Sequence, residues 1–367
     1  MRVFYDGVIY KLQKYGGINR YFNNLISRLP DEITPILTAY RAKDIAYPKH
    51  PNLKTYRFLG RENRPRRLFE ALERRYFESV TSSASFDLMH PTYYWMLTGK
   101  DMTSYRRPLV VTVHDMIHEL YADRMDSNGQ IARTKRRSVE IADAVICVSE
   151  NTKKDLMKLS GVREDKITVI YLSSELDIRS SYGDEPVPKR PYFLYVGSRN
   201  PNYKNFDRLL EALSKVVTRY PEVILCSVGG SFRDFERQQI SDLGIENHLE
   251  TLQNPSDSHL AKLYRCSVAF VYPSNYEGFG IPPLEAMACG TPVIASNRSS
   301  IPEVVGDGGI QFDPNSVADL ADAMLSVLEN PIQRDRWIER GFDRVQQFSW
   351  QKTADRTLEV YKQLVVS

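Results

Sequence analysis

The chain has no apolar run approaching the ~20 residues that a membrane-spanning helix requires, which argues against an integral helical membrane protein. Its first residues, Met1-Arg2-Val3-Phe4-Tyr5-Asp6-Gly7, enter a strand-like segment directly instead of the long apolar region and cleavage site of a signal peptide. Export is therefore not expected, and a cytoplasmic location is. Cysteine is scarce: Cys147, Cys226, Cys266 and Cys289 lie far apart, without paired metal-ligand spacing, and read as reduced thiols near strand-like apolar runs. A surplus of one charge is missing as well, since a net +3 is too small to point to nucleic acid. The G-x-G-x-x-G spacing of a dinucleotide site is absent.

What is present begins with length, because 367 residues suffice for two domains with a core each. In the second half, Ser267-Val268-Ala269-Phe270-Val271-Tyr272 reads as a buried strand closed by Pro273. After the loop Asn275 to Gly280, Pro282 and Pro283 fit only the first turn of a helix, Leu284 to Cys289 continue it, and Gly290 supplies a left-handed cap. Gly278 and Gly280 allow close backbone approach to a ligand, and free amides at the helix start suit anions or sugar hydroxyls. Glu277 precedes this helix and Glu285 falls in its expected first turn, so the pair flanks the amide cluster and is placed to hold two ends of one long ligand. The plainer reading makes Glu285 a carboxylate serving the helix dipole and Glu277 a solvated loop residue.

The run E-G-F-G-I-P-P-L-E-A-M-A-C-G-T-P from Glu277 to Pro292 resembles the signature of the family-4 retaining glycosyltransferases of GT-B architecture. That resemblance implies an α/β protein of two Rossmann-like domains facing each other across a cleft. Residues 1–180 are expected to form the acceptor-binding domain and 181–350 the donor-binding domain, with 351–367 returning as a helix to the first; the boundary is placed in the linker-like stretch Ser180 to Pro191.

Taken in order, the first half offers strand, glycine loop and helix: Val3-Phe4-Tyr5, Gly16-Gly17, then Asn19 to Leu29 with amphipathic spacing. Gly16-Gly17 reads as a tight turn or as amides approaching a ligand, and the similarity of G-G-I-x-R-Y to the family's N-terminal loop favours the latter. Residues 61–77 read as a basic amphipathic helix with Leu68, Leu72 and Tyr76 at four-residue intervals and six interleaved arginines. Either its apolar side covers the core and its arginines are solvated, or Arg66, Arg67, Arg74 and Arg75 meet an anionic membrane surface or a pyrophosphate-linked acceptor. Phe86 to His90 and Leu109 to His114 are two strands that end in histidine, where open parallel sheets gather ligands. A lone histidine is more often structural, but V-T-V-H-D resembles the family's strand with an active-site histidine contacting the transferred sugar, which selects His114. Asp115 either orients it or caps the following turn.

In the second half, Tyr192 to Gly197 starts a new sheet and Ser198 to Asn205 leads into a helix. Arg199 and Lys204 are suited to grip a diphosphate from two directions, or are surface cations on a long turn. G-S-R followed by K-N is similar to the family's diphosphate clasp, though this loop carries about one residue more than the common pattern. Where relatives usually have glycine before the segment facing the base, Gln253 stands here, followed by Asn254.

The resemblance thus assigns His114, Glu277, Arg199 and Lys204 to catalysis, and Gly16, Gly17, Ser198, Asn254, Gly278, Phe279, Gly280, Ile281, Leu284 and Glu285 to donor binding. With no D-x-D triplet, no metal and no cofactor are expected. The implied partners are a nucleotide-sugar donor, favouring UDP-glucose, and a glycan or lipid-linked glycan acceptor, with no nucleic acid. A nucleotide-sugar epimerase or hydrolase of the same fold, or a non-catalytic sugar-nucleotide-binding subunit, would share these features.

Overall fold

A computed structural model describes residues 1–13, 16–41, 45–59, 66–199 and 202–366. The chain forms two compact units, Met1–Leu172 with Trp350–Ser367, and Ser173–Ser349.

In the first unit, β1 (Arg2–Asp6), β2 (Thr34–Arg41), β3 (Lys54–Leu59) and β4 (Leu88–Met89) form a sheet of order β3-β2-β1-β4. A parallel bridge from Met89 to Leu109 continues it into β5 (Val110–Val113), β6 (Ala144–Cys147) and β7 (Ile167–Val169). Every pairing is parallel. Strands buried on both faces are written as short continuous apolar runs, such as Val-Val-Thr-Val in β5.

The helix Trp350–Val366 belongs to this unit. Its Thr353 hydroxyl donates to the Tyr171 carbonyl at 2.7 Å. Deeper in, the Tyr361 hydroxyl lies 3.1 Å from that of Tyr5 and 2.5 Å from His90 Nδ1, while His90 Nε2 lies 2.8 Å from Thr112 Oγ1. Buried polar groups need such partners, and this chain of them fixes the helix on the sheet.

The expected basic helix is Arg66–Ser83. Residues 61–65 and the side chains of Arg66, Arg67 and Leu68 lie outside the described residues. The core face differs from the expected one: Phe69, Glu73 and Phe77 are buried, whereas Leu72 is 59% exposed and Arg74 and Arg75 also face solvent. Glu73 stays inside because its carboxylate accepts from Lys11 Nζ at 2.6 Å and from the Tyr40 hydroxyl.

The second unit carries β8 (Tyr192–Val196), β9 (Ile224–Val228), β10 (Leu249–Leu252), β11 (Ala269–Tyr272), β12 (Val293–Ser296) and β13 (Ile310–Phe312) in the order β10-β9-β8-β11-β12-β13. This is the doubly wound arrangement, whose direction of winding reverses between β8 and β11 and leaves a crevice at their carboxyl ends. The helix Phe206–Arg219 buries Phe206, Leu209, Leu210, Leu213 and Val216, the three-and-four spacing of one helical face, in the core beneath the sheet.

The unit changes after Leu172, ahead of the linker-like composition at 180–191. The reason is packing: Leu176 and Ser181 are buried, the Ser181 carbonyl accepts from Arg265 Nε at 3.2 Å, and the Arg265 guanidinium lies 4.5 Å over the Tyr182 ring.

Candidate active site

At the reversal point of the second unit, the loops after β8 and β11 meet through the Asn275 amide, which donates to the Tyr203 carbonyl at 2.7 Å. Lys204 and Glu277 come together there, Nζ to Oε1 at 2.6 Å, with both side chains largely buried at 17% and 12% exposure. The Lys204 ammonium also stands 5.1 Å from the Tyr203 ring and 5.9 Å from that of Tyr272. Burial first, and then the Glu277 charge, push the Tyr272 hydroxyl well above the usual tyrosine range.

The backbone around Glu277 is braced from the loop after β12. Ser299 Oγ donates to the Glu277 carbonyl at 2.7 Å and accepts from its amide at 3.3 Å. Ser300 Oγ lies within donating distance of the Glu277 and Phe279 carbonyls, at 2.8 and 2.7 Å. Gly278 is buried, and the Phe279 ring packs edge-on against Phe348 at 6.0 Å. Gly280, at φ 118°, turns the chain into the helix Ile281–Ala288 with proline in its first turn. That helix begins at Ile281, earlier than the sequence suggested, so its first turn holds no acidic residue. Glu285 stands one turn further in, beside the fully buried Leu284, and the dipole role considered for it does not apply. It is 3% exposed, and its Oε2 accepts from the Tyr264 hydroxyl at 3.2 Å.

Arg199 is held differently from Lys204. Nε donates to Glu236 Oε1 at 2.9 Å, one terminal nitrogen to Ser227 Oγ at 3.1 Å and the other to the Gly230 carbonyl at 2.5 Å. Its guanidinium lies 4.6 Å from the Phe232 ring and 5.4 Å from Phe206, with 4% of the side chain exposed. The carboxylate of Glu236 is lowered despite the opposing effect of burial, because Arg233 and Arg199 both hydrogen-bond to it. Sequence reading missed Glu236, which has no motif of its own. Beside this network Gly229 is indispensable, since a Cβ there would sit 2.7 Å from the Gly197 carbonyl oxygen. The Ser198 carbonyl accepts from the Tyr195 hydroxyl at 2.9 Å. Asn254 is exposed and left-handed at φ 47°, next to Gln253, whose amide donates to Ser231 Oγ at 2.7 Å.

In the first unit, Gly16 precedes and Gly17 opens the helix Gly17–Ser27, with open space beyond the Gly17 Cα. The two strand-end histidines have opposite surroundings. His90 is bonded at both nitrogens, whereas His114 Nε2 is buried without a hydrogen-bond partner among the described residues. Its ring meets Tyr21 edge-on at 5.1 Å, and burial pushes its pKa down to about 4, so near neutral pH it is an uncharged imidazole able to bond a ligand hydroxyl. Asp115 Oδ1 accepts from the Ile117 amide at 3.1 Å, which is the turn-capping alternative. Lys135, 1% exposed and unforeseen from sequence, ties this loop by donating to the Asp115 carbonyl at 2.9 Å and Glu119 Oε2 at 2.8 Å.

Residues 15–174 match the family described as Glycosyltransferase Family 4, and residues 183–344 that described as Glycosyl transferases group 1. The O-antigen chain mannosyltransferase B of Escherichia coli is 35% identical over 247 residues, which span 63% of this chain and 64% of that protein. In fold, the chain is similar to sucrose-phosphate synthase from Thermosynechococcus elongatus (TM-score 0.77, 21% identity, 100% of this chain and 99% of that one covered). Anabaena HepE in complex with UDP and glucose gives a TM-score of 0.72 at 19% identity, with 98% and 99% covered. With both units accounted for by adjoining family matches and the parallel α/β architecture shared, the chain belongs to the family-4 glycosyltransferases of GT-B fold.

Proposed function

We propose that the protein transfers a hexose, with retained configuration and without a metal, from a nucleoside-diphosphate sugar of the UDP-glucose type to a glycan or lipid-linked glycan acceptor. The observation that carries this reading is the buried Lys204–Glu277 pair at the reversal point, beside the glycine-cornered start of the helix that holds Glu285. In this reading Glu285 takes the ribose hydroxyls and Glu277 a hydroxyl of the donor sugar. Lys204 turns from Glu277 toward the pyrophosphate, and the Gly280 and Ile281 amides share the charge that develops as the diphosphate leaves. Arg199, clamped by Glu236, adds its fixed positive field and its remaining N–H donors. The acceptor attacks from the face the phosphate leaves and passes its proton to the phosphate oxygen, with His114 bonding the transferred sugar. No residue acts as a nucleophile, unlike the two-carboxylate glycosidases.

A mannosyl donor is a second reading, favoured by the name of the 35% identical relative. UDP-glucose, GDP-mannose and their nucleoside diphosphates, compared by thermal shift, separate the two, since a ligand that prefers the folded state raises the melting temperature. Product formation with and without a glycan acceptor, in EDTA, then tests transfer against hydrolysis or epimerisation. Release of free sugar independent of acceptor, loss of activity in EDTA, or an inverted anomeric product would each overturn the corresponding part. In this reading the enzyme works in the cytoplasm and meets an anionic membrane surface, which the exposure of Arg74 and Arg75 on their helix supports. Unchanged sedimentation with anionic vesicles after replacement of Arg66, Arg67, Arg74 and Arg75 would remove that surface.

A further inference from the structure

We propose that Tyr264 is a positioning residue that sets how strictly the donor's ribose is recognised, a claim that rests on the ribose role of Glu285 given above. Tyr264 sits near the end of the helix Asp257–Cys266 and is fully buried. Its ring is locked edge-on against Phe270 of β11, with centroids 5.3 Å apart and planes at 76°. The sheet therefore fixes the ring, and the ring fixes the hydroxyl.

That hydroxyl donates to Glu285 Oε2 at 3.2 Å across a buried contact. A carboxylate on a flexible side chain can rotate to follow whichever donor is nearest. Held through Oε2 by a rigid phenol, it presents Oε1 in one orientation, which is what distinguishes a sugar edge with two hydroxyls from one without. Discrimination of this sort is strongest when a buried polar atom is left unsatisfied by the wrong ligand. A tyrosine that anchors the carboxylate from behind keeps it from escaping that penalty by turning away.

The test compares UDP with 2′,3′-dideoxy-UDP, and GDP with 2′,3′-dideoxy-GDP, by isothermal titration calorimetry. The proteins are the full chain, Tyr264→Phe, Glu285→Gln and the double variant, each checked for folding by thermal melting. The parent is expected to prefer the ribonucleotide of its own base by about tenfold or more, the range of one buried hydrogen bond to a charged group. Tyr264→Phe should narrow that ratio at least about threefold, chiefly by weakening the ribonucleotide, and the double variant should match Glu285→Gln alone. General loosening of the fold would weaken both members of a pair together and leave the ratio in place. An unchanged ratio in Tyr264→Phe alongside a collapsed ratio in Glu285→Gln overturns the role of Tyr264 alone. A ratio near one in the parent, or one unaffected in Glu285→Gln, overturns the ribose reading and this proposal with it.

Discussion

Acidification should loosen the C-terminal helix from the first unit through one histidine. His90 is fully buried and bonded on both sides, Nδ1 to Tyr361 and Nε2 to Thr112. A neutral imidazole can accept at one nitrogen and donate at the other, whereas the charged ring must donate twice in a site that excludes water. Burial, with a smaller contribution from the neighbouring His114, pushes the His90 pKa from 6.5 down to about 3. Because the folded value is depressed, the stabilisation is complete above the unfolded pKa and is lost as pH falls toward the folded one. Each pH unit in that window costs about 1.4 kcal/mol, so a fall from pH 7 to pH 4 removes about 3 kcal/mol through this group alone. Hydrogen exchange of the segments 350–366 and 110–113, corrected for the pH dependence of chemical exchange, reads the opening locally in a chain of two units. His90→Gln should be less protected than the parent at pH 7, and the gap should close by about 3 kcal/mol at pH 4. Parallel curves for parent and variant would refute the reasoning, since the lost titration would then have no effect on opening.

Lys204→Ala should lower kcat about a hundredfold, the order expected when one preorganised charge is removed from a developing diphosphate, and steady-state kinetics with the selected donor checks it. Gly229→Ala should destabilise the second unit by about 1–3 kcal/mol, because the new Cβ would meet the Gly197 carbonyl oxygen at 2.7 Å; hydrogen exchange within residues 173–349 should rise while that of the first unit stays unchanged. Glu236→Ala should cost about 3–5 kcal/mol in the same unit by leaving the buried Arg199 guanidinium without its counter-charge, and unaltered exchange there would show that Ser227, the Gly230 carbonyl and the aromatic neighbours suffice to hold Arg199.

The helix that carries Glu285 was legible because proline restricts where a helix can start and glycine where it can end, both of them local rules. Even there the first turn was misplaced, since Ile281 ahead of the two prolines already adopts helical geometry. In the second unit β8, β9, β11 and β12 announced themselves as apolar runs. By contrast β3, at a sheet edge, keeps residues 54–58 exposed or half-buried without a regular alternation, and β13 has only three residues, too few for a period to show. What no local rule could supply was the partner of each charged or polar group. Arg199 meets a glutamate 37 residues away, Glu285 a tyrosine 21 residues away, and His90 a tyrosine 271 residues away. His90 and His114 occupy the same kind of strand end in sequence, and only those distant partners divide them into one imidazole consumed by the fold and one left with a nitrogen unbonded. The same division separates the two cations of the loop after β8. Arg199 is enclosed by rings and a carboxylate of its own unit, while Lys204 is paired to Glu277, the residue that the proposed function gives to the donor sugar. If both groups grip the donor as proposed, their ion pair is exchanged for the ligand's own opposite charges, and the energy of the Lys204–Glu277 contact is then recovered on binding in a way that the Arg199–Glu236 contact is not.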